Sequence, residues 1–105
     1  MSSHLPKHYQ KMKERYSPVL DAVGQLGRTV REAGPLGEKE AQLIQLGAAA
    51  ALKSEGAIHS HARRALEAGA SPEEIRHAIV LLTSTLGYPN MAAALSWVDD
   101  VLEKG

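Results

Sequence analysis

The chain contains no cysteine. This excludes disulfides, thiolate metal sites, iron–sulfur clusters and any thiol nucleophile of its own. Phenylalanine is also missing, and the only aromatics are Tyr9, Tyr16, Tyr88 and Trp97. A core must therefore be built from Leu, Ile, Val and Ala, a set that suits closely packed helices. Neither sign of charge is in excess, with 12 Lys plus Arg against 12 Asp plus Glu. The basic surplus that displaces counterions from nucleic acid is lacking, and so is a polybasic patch for anionic lipid. No nucleic-acid partner and no membrane partner is expected. The longest apolar run is broken at Gln45 and Lys53, too short to span a bilayer. Met1 to His8 is polar and carries no apolar signal segment, so a cytoplasmic location is expected.

What is present is helical punctuation. A length of 105 residues fits one domain. Residues 1–16 read as an N-terminal segment in which Lys7 to Tyr16 can form a short helix, and 17–105 as a helical domain. Ser17-Pro18 has the form of an N-cap followed by a first-turn proline. Val19, Val23, Leu26 and Val30 then recur at steps of four and three, the pattern of one buried helix face. Gly24 and Gly27 on the same helix invite a close neighbour or a bend. Gly34-Pro35 ends it. A second helix begins near Gly37, with Glu40 in a reciprocal capping position. Its middle, Leu46 to Leu52, is apolar all round and should be buried on all sides. A third covers roughly Ala57 to Glu67. Ser71-Pro72-Glu73-Glu74 is the strongest local signal, combining N-cap, first-turn proline and capping box. The helix it opens is expected to run to Leu86. Gly87-Tyr88-Pro89 closes it, and Asn90 starts a last helix carrying Met91, Ala94, Leu95, Val98 and Leu102. No alternating strand pattern occurs. The fold class is all-α, a single-domain bundle of about five to six helices.

Without cysteine, reactive groups must come from histidines and carboxylates. His4 and His8 fall in the polar tail and are expected to be solvated. His77 stands four residues after Glu73, the spacing of a surface ion pair. His59 and His61 are two apart, hence about 200° apart around a helix, and cannot grip one ion together; no metal site is expected. His61 shares its face with Ser54, Ala57 and Ile58 and should point inward to a pocket. His59 should point to the wetter side near Arg63. A half-buried histidine among small residues suits either a general base or a core residue bonded to backbone.

The stretch Gln42 to Leu52, then His61-Ala62-Arg63-Arg64-Ala65-Leu66, then Gly69-Ala70-Ser71-Pro72-Glu73-Glu74-Ile75, then Leu86-Gly87-Tyr88-Pro89-Asn90 resembles the carboxymuconolactone decarboxylase family, whose superfamily includes alkyl hydroperoxide reductase D. The likeness extends over about residues 36–103. It implies an all-α fold that assembles by helix pairing, often into trimers or hexamers, so the expected partner is the chain itself, alongside a small-molecule ligand. It also implies a layout in which the thiol branch carries Glu, then Cys-x-x-Cys, then His. On this chain those positions hold Gln42, Ser54, Ala57 and His61. The acid and both thiols are replaced, so no intrinsic thiol peroxidase activity and no cofactor is expected. The lactone-decarboxylase branch implies lyase chemistry on a small organic acid or lactone. His61 would be its acid–base group and Gln42 a neutral donor to the developing enolate. Ser54 is a further candidate for a catalytic role, with Arg63 (or Arg64), Ala57 and Tyr88 on the substrate-binding side. Direct activation of Ser54 by His61 is opposed by a separation of two helical turns, about 10 Å. The alternative is a non-catalytic oligomeric scaffold or small-ligand binder that has lost the peroxidase site.

Overall fold

The computed structural model describes residues 7–104, and every regular element among them is a helix. These are α1 (Lys7–Arg15), α2 (Ser17–Glu32), α3 (Glu38–Ala51), α4 (Glu55–Glu67), α5 (Pro72–Val80), α6 (Thr83–Leu86) and α7 (Tyr88–Leu102). The chain separates into two compact units, Met1–Pro35 and Leu36–Gly105. His4 lies outside the described residues, and His8 is exposed on α1.

In the first unit only Tyr16 separates α1 from α2. Its N–H donates to Met12 O at 2.7 Å and its carbonyl accepts from Leu20 N at 3.1 Å, so helical hydrogen bonding continues across the joint. The backbone of Tyr16 itself leaves the helical region, with φ −133° and ψ 45°. Ser17, expected as the cap, is instead the first helical residue, and no side chain caps α2. Backbone hydrogen bonding that runs on from α1 through Tyr16 places Ser17 inside the helix rather than ahead of it. The face expected to be buried is open: Val19, Val23, Leu26 and Val30 are 53–61% exposed. Gly24 and Gly27 meet no neighbouring helix, since a Cβ at either would touch only the Arg28 or Arg31 head of α2 itself.

The second unit holds the core. Leu46, Ile58, Ala62, Ala65, Ile75, Ile79 and Val98 are fully buried. Alanines on α4 allow α3 and α7 to pack closely, and each large buried side chain contributes about 1.5–3 kcal/mol by leaving water. Helix α3 is not buried all round as its apolar middle suggested. Gln42, Leu46, Ala49 and Ala50 face the core, whereas Ile44 is 57% and Leu52 79% exposed. The remaining helices of this unit cover one face of α3 only.

The Ser71 signal is borne out in full. Ser71 Oγ accepts from Glu74 N at 3.0 Å, and Glu74 Oε1 accepts from Ser71 N at 2.9 Å. The helix it opens stops at Val80 rather than running to Leu86. Thr83 Oγ1 donates to Val80 O at 2.6 Å, an alternative bond for a carbonyl that competes with helix continuation. A single turn, α6, follows. Gly87, at φ 87°, then turns the chain into α7 with Pro89 in its first turn. Asn90 lies inside α7 and donates to Leu86 O at 3.1 Å. Ion pairs among the described residues tie the helices together: Lys39–Glu74 from α3 to α5, Arg76–Asp99 from α5 to α7 and His59–Asp100 from α4 to α7. Among the described residues no helix is long and apolar enough to cross a membrane.

Candidate functional site

Helices α3 and α4 form a hairpin. Lys53, at φ 57°, supplies the left-handed residue of the joint, and Ser54 N closes it by donating to Ala49 O at 3.0 Å. Residues roughly equidistant from such a joint face each other. Gln42 and His61 stand ten before and nine after Leu52, and they meet: His61 Nδ1 lies 2.8 Å from Gln42 Oε1. Gln42 Nε2 in turn donates to Glu38 Oε2 at 2.7 Å, one turn back on the same face of α3. Gln42 is 1% exposed and His61 is half-buried.

Chemistry orients this chain of groups. A carboxylate only accepts, so the amide N–H of Gln42 must face Glu38. Its carbonyl oxygen therefore faces the histidine, and the His61 bond is Nδ1–H donating to Oε1. That fixes the tautomer of the neutral ring and makes Nε2 its basic atom. One turn beyond Gln42, Gln45 Oε1 is buried with no hydrogen-bond partner, a cost of about 1–3 kcal/mol unless a ligand or water donates to it.

The other sequence-derived candidates are spread more widely. Ser54 is the N-cap residue of α4; its carbonyl accepts from Ile58 N at 2.9 Å, and no described hydrogen bond joins its side chain to His61. Ala57 is partly buried against the core. Tyr88 opens α7 and is 67% exposed. Arg63 and Arg64 are both exposed. Arg63 lines a hollow of about 340 Å³ with His59, Leu66, Glu67, Asp100, Val101 and Lys104, on the His59 side of α4. A second groove, of about 550 Å³, runs along α3 and α5 past Leu43, Ile44, Leu81 and Leu82, with Glu74 and His77 on it. The ion pair expected between Glu73 and His77 is absent among the described residues; Glu74, next to Glu73, makes the pair instead, with Lys39 at 3.2 Å. That pairing and the bond from Ser71 N hold the Glu74 carboxyl below the usual glutamate range, the backbone bond being the larger cause.

Glu38 and Asp100 were among the groups missed from sequence. Glu38 carried a readable signal, its four-residue spacing from Gln42. Asp100 carried none, because it reaches His59 from 41 residues away.

The model of the carboxymuconolactone decarboxylase family matches residues 18–100. The chain belongs to that family, as a member without cysteine. No curated protein matches the chain closely enough to count as a relative.

Proposed function

We propose that the chain carries out acid–base chemistry on a small organic acid or lactone, a decarboxylase-like lyase reaction, with His61 as the proton-transferring group. The observation that supports this reading is the Glu38–Gln42–His61 relay. A histidine of purely structural role needs one partner; this one is set by a buried amide that a carboxylate orients in turn. In such a reaction the bond to the departing carboxylate breaks and its electron pair enters the conjugated system of the lactone. His61, protonated at Nε2, then returns a proton to carbon. Gln42 is here a positioning residue. Its buried carboxamide is engaged by Glu38 and His61, which suits it to holding the ring rather than to donating to an enolate. The family's thiol chemistry has no counterpart, since no sulfhydryl exists in the chain.

The test is carbon dioxide release from 4-carboxymuconolactone by the purified chain. Wild type is expected to turn over, and His61→Ala to lose about 100-fold or more. Gln42→Leu should keep the fold and shift the pH profile of kcat, because the ring loses the partner that sets its tautomer. If the wild type neither binds nor converts this lactone, the scaffold reading replaces the catalytic one. We also propose self-assembly, to a trimer or hexamer. It is supported by the exposed Val19, Val23, Leu26 and Val30 on α2 and by Ile44, Leu52 and Leu81 in the second unit, since apolar surface of this kind marks interaction sites.

A further inference from the structure

The opposite side of α4 carries a constellation that the His61 relay does not use. Glu55 and His59 are one turn apart on α4, and Asp100 reaches the same point from α7. His59 Nε2 lies 3.1 Å from Asp100 Oδ2 and 3.9 Å from Glu55 Oε2. One donor atom of each residue lies within 4.8 Å of both others.

We propose that Glu55, His59 and Asp100 bind a first-row divalent cation, with zinc as the best-fitting probe. The two distances from His59 fit a shared ion. Donors about 2.1 Å from a metal and 3.1 or 3.9 Å from each other subtend angles of about 95° and 136° at it, either side of the tetrahedral value. The charges fit as well. Two carboxylates match a +2 ion and a neutral imidazole adds nothing, a donor set that favours zinc, manganese or iron(II) over soft or all-oxygen cations. The set is also held in place, with two ligands on one helix at i, i+4 and the third on a helix packed against it. The hollow of about 340 Å³ beside His59 and Asp100 leaves the remaining coordination positions open. Arg63 and Lys104 oppose a bare cation there, but both are exposed and screened, and each can meet an anion seated on the metal. On binding, Nε2 of His59 exchanges its hydrogen bond to Asp100 for the metal, and the neutral ring carries its one N–H on Nδ1.

The experiment is calorimetric titration of the full chain with zinc chloride alone, with His59 followed by its ring NMR signals. One zinc per chain is expected at this site, with the His59 ring signals moving on binding. Asp100→Asn, an isosteric change at a half-exposed carboxylate, and His59→Ala should each weaken binding about tenfold or more. A His4→Ala/His8→Ala variant should keep it, separating this site from the N-terminal histidines. The proposal is overturned if zinc fails to bind at millimolar concentration, if Asp100→Asn binds as wild type does, or if the tail variant abolishes binding.

Discussion

Ser71 and Glu74 each do two jobs within a single turn. Ser71 satisfies a helix-end N–H, and Glu74 returns the bond while pairing with Lys39 across to α3. Replacing Ser71 by Ala should cost about 1 kcal/mol, read as a lower denaturation midpoint at unchanged slope. The Glu74 carboxyl is depressed in the folded state. Its contribution to stability is therefore present above the ordinary glutamate pKa and is lost as pH falls through the depressed value. Glu74→Gln should be less stable than wild type at neutral pH, with the gap closing on acidification below about pH 4; melting curves at stepped pH check this. At this scale much was legible. The Ser71 box is a local pattern, and the Gln42–His61 meeting follows from the family's spacing. Asp100 could not be foreseen, because nothing near His59 in sequence points to the end of α7.

Among the helices, α2 is the one whose sequence and surroundings disagree most. Its four-and-three spacing of Val and Leu is that of a buried face, yet the face is open. Periodicity reports that a face is apolar, and not what, if anything, packs on it. The same limit explains α3, whose uniformly apolar middle is half exposed. The α5 break was unreadable for another reason: the apolar spacing continues through Leu82 and Leu86, and the competing bond from Thr83 to Val80 O is a choice made locally by one hydroxyl. In α2, Gly24 lies mid-helix, and a Cβ there meets only Arg28 of the same helix at 3.7 Å. Gly24→Ala should therefore raise the stability of the first unit by up to about 1 kcal/mol, measurable as greater amide exchange protection along α2. A loss of stability would mean that another surface needs the glycine.

At the scale of the whole molecule, the exposed apolar residues make the association state the decisive measurement. Light scattering at micromolar concentration is expected to give a multiple of the 11.3 kDa chain mass, three or six chains on the proposed assembly. Val23→Glu together with Leu26→Glu on α2 should lower it if that face is used. A mass of one chain for the wild type would refute assembly. The fold class, the helix order and the His61 neighbourhood were legible in sequence because each rests on contacts close along the chain. The short joints between α3, α4 and α5 carry that locality into time. Loops of a few residues close at little entropic cost, and domains rich in near-neighbour contacts fold on the order of microseconds to milliseconds. The α3–α4 hairpin can thus place Gln42 against His61 early, before α7 is in place, whereas Asp100 reaches His59 only when α7 docks. The two clusters should appear in succession during refolding, the relay first and the Glu55–His59–Asp100 constellation last.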